Sequence, residues 1–166
     1  AEFVLMGIIT NVAAGVGVTV PEAGGFISAY AIGVCFGTLI LVFGHSIAPK
    51  RLLMAFMLLC FVGNAMAALA PSAGMLTVAR FISGMPHGAF FGTATIAARA
   101  MADKGQEGRA VAVMVLGQTL ANTLGVPFGT LLAGMVSWRA AFVFVAIWAL
   151  CSLLLIWRLV PQIEAV

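Results

Sequence analysis

Six stretches of this chain carry no charged side chain. Glu2 and Glu22 are separated by 19 uncharged residues, Glu22 and Lys50 by 27, and Arg51 and Arg80 by 28. Arg80 and Arg99 are separated by 18, Arg109 and Arg139 by 29, and Arg139 and Arg158 by 18. A helix rises about 1.5 Å per residue, so roughly 20 apolar residues cross a hydrocarbon core of about 30 Å. The chain therefore reads as a polytopic membrane protein. Only 8% of its 166 residues are charged and 63% are hydrophobic, whereas a soluble domain carries charge on about a quarter of its residues. That excludes a water-soluble monomer, and the apolar content excludes disorder. The net charge of +3 is spread out, with no basic block to hold nucleic acid.

Turn residues divide the chain into six expected spans, at 1–14 (partial), 23–44, 52–70, 73–98, 110–136 and 140–160. The first ends at Gly15-Val16-Gly17 and Pro21, and is either a partial helix or the end of one. A signal peptide fits it poorly, because it opens on Ala1-Glu2 rather than on a basic stretch. Strands are not expected, since membrane strands alternate polar and apolar residues and these runs are apolar throughout. Helices satisfy their own backbone in lipid. The fold class is thus an all-α membrane protein, a six-helix transmembrane bundle surrounded by lipid.

Basic residues set the expected orientation. Lys50 and Arg51 lie between spans two and three, Arg99, Lys104 and Arg109 between four and five, and Arg158 ends span six. The opposite side has only Arg139, so loops 45–51 and 99–109 are expected in the cytoplasm. Trp138 and Trp157 stand 19 residues apart, about 28 Å of helix, and are expected to mark the two interfaces. Small residues recur every fourth position on three spans: Gly25, Ala29, Gly33 and Gly37; Gly84, Gly88 and Gly92; Gly117, Ala121, Gly125 and Gly129. Such ridges let helix backbones approach closely.

Charge submerged in the membrane usually faces a cavity or a partner. Arg80 falls about 12 Å, and Glu2 about 20 Å, below the same boundary, so long side chains on neighbouring helices would be able to meet. A proton or cation at Glu2 would then switch the pair; a static ion pair is the alternative. His87 lies seven residues beyond Arg80 and returns to nearly the same face, as a proton relay or as a hydrogen-bonded histidine. Pro86 and Pro127 each remove a backbone hydrogen bond and are expected to bend their helices. Gln118 and Asn122 share a face and would line a polar path or bond neighbouring helices, as Asn64 would. Tyr30 and Trp148 would line a cavity or simply pack. Ser83, four residues from His87, would suit a nucleophile with its base, but no oxyanion site accompanies it. No phosphate-cradling loop and no metal-ligand spacing is present, so neither a cofactor nor a metal is expected. Cys35, Cys60 and Cys151 are scattered through the apolar runs and read as reduced packing residues.

The run Arg80-Phe-Ile-Ser-Gly84-Met-Pro-His87-Gly88-Ala-Phe-Phe-Gly92 resembles the fourth helix of major facilitator superfamily transporters, and especially the arabinose efflux permease-like branch of the drug:proton antiporter group. Ala1-Glu2-Phe3 to Met6-Gly7 resembles the middle of its first helix, and Ile27-Ser28-Ala29-Tyr30-Ala31-Ile32-Gly33-Val34 its second. Leu120-Ala121-Asn122, Gly125-Val126-Pro127-Phe128-Gly129-Thr130 and Ser137-Trp138-Arg139 resemble its fifth and the start of its sixth. The resemblance implies the N-terminal half of a twelve-helix fold, an inverted 3+3 repeat with its first helix truncated and a C-terminal half as partner. It implies secondary active transport, with proton-coupled efflux of small organic molecules, sugars or drugs, across a bacterial inner membrane. A passive sugar facilitator is the alternative and an intramembrane enzyme a remote one. Proton coupling would fall to Glu2, Arg80 and His87, the substrate path to Gln118, Asn122 and Tyr30, and hinge and packing roles to Gly84, Pro86, Gly88, Gly125, Pro127 and Gly129. Three departures stand out. Ser83 occupies the usual Gln position of the helix-four motif, Val126 splits the Gly-Pro pair of the helix-five motif, and residues 44–51 lack the acidic residue of the family loop.

Overall fold

A computed structural model describes the backbone of residues 2–43 and 46–161 and the side chains of residues 8–43 and 46–161. The described residues form six helices: α1 (Glu2–Val16), α2 (Val20–Phe43), α3 (Pro49–Leu69), α4 (Ala73–Met101), α5 (Glu107–Met135) and α6 (Trp138–Leu159). Several starts precede those suggested by turn residues, because local capping sets them. The Glu22 amide donates to Thr19 Oγ1 (3.2 Å) and the Thr19 amide to a Glu22 carboxylate oxygen (3.4 Å), so Thr19-Val-Pro-Glu22 is a capping box. Pro21 thus sits in the first turn of α2, where a missing N–H costs nothing. Pro49 likewise opens α3. The Ser72 and Ser137 hydroxyls accept from the amides of Met75 and Ala140 and cap α4 and α6. Gly17 and Gly105, at φ +75° and +85°, make turns that a side chain would strain.

The packing order follows the two triplets. The second helix of each lies on the first helix of the other, α2 on α4 and α5 on α1, while α3 and α6 pair with each other. That crossed arrangement is what an inverted 3+3 repeat produces. Four helices, α2, α3, α5 and α6, are long and apolar enough to cross a membrane. In α4, Arg80, Ser83 and Thr93 are buried beside Leu76, Ala79, Gly84 and Ala89, so part of its inward face is polar and the helix as a whole is less apolar. The outer surface shows the reverse pattern, with Phe43, Leu69, Leu124, Leu155 and Leu159 all exposed. Oil as the surrounding solvent accounts for both.

Small residues make the tightest contact in the bundle. A Cβ on Gly33 or Gly37 would overlap the carbonyl oxygens of Phe81 and Met85 on α4, and one on Gly84 would overlap the carbonyl oxygen of Tyr30 on α2. Gly88 faces Thr38, and a Cβ on Gly92 would stand 2.8 Å from Leu41 Cδ2. The α5 ridge behaves differently. Gly117 and Gly125 face open space, and only Gly129 and Ala133 on that helix are buried. α5 leans on the bundle near its C-terminal end and buries no residue before Gly129. α4 and α5 run unbroken through Pro86 and Pro127. The backbone departs from helical values at Ile8 in α1, with φ −127° and ψ 16°.

The main core gathers at the end with the short connections, from Val12 and Ala13 of α1 through Leu76 and Ala79 of α4 to Trp138 and Phe142 of α6. Trp138 is buried in this core and does not face outward. Its indole fills the space above Gly15 on α1, and the Arg139 guanidinium stacks on its ring at 4.3 Å. Arg139 Nη1 then donates to the Ala68 carbonyl at the end of α3 (2.8 Å), a cation set where the helix dipole favours one. Trp157 remains exposed. Asn64 also differs from expectation. Its amide nitrogen returns to the Cys60 carbonyl one turn back (2.8 Å) and does not bond a neighbouring helix.

Gly37→Ala should lower the thermal midpoint in detergent, because overpacking a backbone contact costs about 1–3 kcal/mol. Gly25→Ala, which meets open space, should be neutral or gain up to about 1 kcal/mol from helix propensity. Equal melting of the two variants would contradict the α2–α4 contact.

Candidate functional site

Because α5 stands off, a cavity of about 190 Å³ opens between α2, α3, α4 and α5. Its walls include Tyr30, Cys60, Ser83, His87, Gln118 and Asn122. Four residues expected on a transport path or relay therefore meet in one place: Tyr30 from α2, His87 from α4, and Gln118 and Asn122 from α5. Phe90 and Phe91 add aromatic surface, and Pro86 joins the wall. The spacing of four between Gln118 and Asn122 puts both amides on one face of α5.

Arg80 lies behind the cavity wall, fully buried at 0% exposure. Its guanidinium carbon is 4.5 Å from the centroid of the Tyr30 ring and 5.8 Å from that of Phe142 on α6. Aromatic faces attract a cation through their quadrupole, the more so away from water. The Tyr30 hydroxyl is 3.3 Å from His87 Nδ1, and the two rings meet edge to face with centroids 5.9 Å apart. Arg80, Tyr30 and His87 thus form a continuous row from the buried interior to the cavity. The backbone contact at Gly84 sets this row, since Gly84 holds the Tyr30 carbonyl against α4. Glu2 belongs to α1, but its side chain lies outside the described residues.

Ser83 lies in the same wall, yet its hydroxyl donates to the Ala79 carbonyl on its own helix (2.8 Å). That proton is committed to the backbone and not directed at His87. Cys60 contributes to the cavity, while Cys35 and Cys151 are exposed. Trp148 lies in a second, larger hollow of about 670 Å³ between α5 and α6. Asn122 borders both hollows, together with Gly117, Ala121 and Gly125 on the outer one. The contact of Tyr30 with Arg80 was not legible in the sequence; the one signal for it was the pair of glycine ridges that bring α2 and α4 together.

Comparison with known proteins agrees with this architecture. The chain is 42% identical over 165 residues to the protein AraJ of Escherichia coli (strain K12), covering 99% of this chain and 42% of AraJ. It is 38% identical over 146 residues to the inner membrane transport protein YdhP of the same strain, covering 87% of this chain and 38% of YdhP. It is 29% identical over 166 residues to a probable sugar efflux transporter of Helicobacter pylori (strain P12), covering 99% of this chain and 42% of that protein. The chain therefore spans about two fifths of the length of these relatives. The sequence profile of the Major Facilitator Superfamily matches residues 1–166, and the chain belongs to that superfamily of transporters.

Proposed function

We propose that this chain is the N-terminal half of a twelve-helix exporter that couples proton movement to efflux of small organic molecules, sugars or drugs, across a bacterial inner membrane. The observation that carries the reading is the row Arg80–Tyr30–His87 ending in a largely apolar cavity into which Gln118 and Asn122 bring polar groups. A buried cation beside a titratable ring on a substrate path is an arrangement in which protonation and binding influence each other. The efflux activity named for the Helicobacter relative, and the inner-membrane location named for YdhP, support the direction and the compartment.

Gln118 and Asn122 would hold the polar part of the substrate, and Tyr30, Phe90 and Phe91 would flank it. Glu2 would share the coupling with Arg80 and His87. The open α5 ridge at Gly117 and Gly125 suits close approach by a C-terminal half, which would supply the opposite wall. Gly84 and Gly88, at the α2–α4 contact, and Pro86 would guide movement of α4, and Gly125, Pro127 and Gly129 that of α5. Loops 45–51 and 99–109 would face the cytoplasm, as their basic residues indicate.

One observation favours a passive facilitator. The guanidinium of Arg80 is seated between two aromatic rings, which would satisfy a purely structural cation. Flux distinguishes the two readings. In everted vesicles carrying the twelve-helix protein, with labelled arabinose and ethidium as probes, a pH gradient should drive accumulation of at least one. Arg80→Ala and His87→Gln should each remove the driven component, and the chain 1–166 alone should carry no flux. Accumulation indifferent to the gradient would leave the facilitator.

Orientation can be checked separately. In a background free of Cys35, Cys60 and Cys151, a cysteine placed at Lys104 should react with an impermeant maleimide only in everted vesicles. One placed at Ser72 should react only in intact cells. The reverse pattern would invert the topology.

A further inference from the structure

Arg80 and His87 lie seven residues apart on α4, which separates their backbones by roughly 10 Å along the helix axis. The ring of Tyr30, borne by α2, spans that gap. Its face carries the guanidinium at 4.5 Å and its hydroxyl reaches His87 Nδ1 at 3.3 Å. We propose that Tyr30 is a positioning residue that fixes the tautomer of His87 and ties the state of that imidazole to the seat of Arg80. The proposal rests on the transport reading above and adds to it the residue through which the two charged groups communicate.

A cation on the face of a phenol draws electron density from the ring and makes the hydroxyl a better donor. In the proposed arrangement Tyr30 donates to Nδ1 whenever His87 is neutral. With Nδ1 accepting, the single ring proton of His87 sits on Nε2. The ring then has a preset donor, and its orientation is held by the edge-to-face contact with Tyr30. A proton arriving at Nδ1 reverses the bond, because the imidazolium must donate and the phenol must accept. The phenol whose face carries Arg80 thus changes from donor to acceptor when His87 gains its proton.

The Tyr30 carbonyl is packed on Gly84, which holds the phenol between the two groups. Among the described residues, each neighbouring element brings side chains to this row. α3 presents Cys60 to the cavity, α5 presents the neutral amides of Gln118 and Asn122, and α4 itself supplies Arg80. α6 offers Phe142 to the guanidinium. On α1 the acidic residue is Glu2, whose side chain lies outside the described residues.

Tyr30→Phe keeps the ring beneath Arg80 and removes only the hydroxyl. Imidazole ¹⁵N spectra of the twelve-helix protein, with the His87 signal assigned by its loss in His87→Gln, should show the Nε2–H tautomer. In Tyr30→Phe the signal should move to a mixture of tautomers, with the thermal midpoint retained. An unchanged His87 signal would overturn the proposal. Flux supplies the second readout, with the probe that the pH gradient drives in the parent protein. Tyr30→Phe should lower the driven component roughly fivefold, the loss expected from one hydrogen bond. A driven component left intact in Tyr30→Phe would also overturn the role of Tyr30. Were the parent protein to show no pH-driven flux at all, the transport reading would fail while the ¹⁵N result still decided the tautomer.

Discussion

The contact between α2 and α4 is the constraint on which the rest of the bundle depends. In lipid, two apolar helices gain nothing from leaving their solvent, so association rests on close van der Waals approach and on polar contacts. Gly33, Gly37 and Gly84 permit that approach by leaving room for the carbonyls of Phe81, Met85 and Tyr30. A helix pair held at this distance has little freedom to slide. The side chains that leave it, Tyr30 on one helix and Arg80 and His87 on the other, are delivered to one another as a consequence. Larger residues on either ridge would separate the helices and dissolve the row.

The same solvent explains how polar groups are handled. Hydroxyls along the helices return to the carbonyl one turn back, as Thr38 does to Val34, Thr93 to Ala89, Thr119 to Val115 and Ser152 to Trp148. Each is satisfied inside its own helix and needs no neighbour. Arg80 is too long and too strongly charged for that solution, and it lies buried between Tyr30 and Phe142 from two other helices. Arg139 uses a related device at the rim, stacking on Trp138 while donating to the end of α3. The two arginines differ in place. One secures the tightly packed end of the bundle, and the other lies behind the wall of a cavity.

That cavity exists because the bundle is uneven. All six helices reach the core around Val12, Leu76 and Phe142, but α5 buries only Gly129 and Ala133, near its C-terminal end. The exposed ridge and the amides of Gln118 and Asn122 are therefore available to whatever lies beyond this chain. A transporter of this superfamily must open and close a path through its centre, and a helix held at one end only is suited to lining it.

Much of this was legible in the residues. The charge-free runs point to six membrane segments, the first of them partial, because an ionised side chain in hydrocarbon is expensive and a helix alone satisfies its backbone there. The glycine spacing marked faces able to pack closely, and the isolated Arg80 and His87 marked α4 as the helix expected to carry chemistry. The residues did not say which ridge meets which. α2 and α4 interlock while the equally regular ridge of α5 stays open, since a small-residue face permits contact without naming its partner. Nor did they show that Trp138 would be drawn inward, because a tryptophan near a helix start suits either an interface or a core until Gly15 supplies the space for its ring. The union of Tyr30 with Arg80 belongs wholly to tertiary structure. The two are 50 positions apart in the chain, and only the crossing of their helices brings a phenol face beneath a guanidinium.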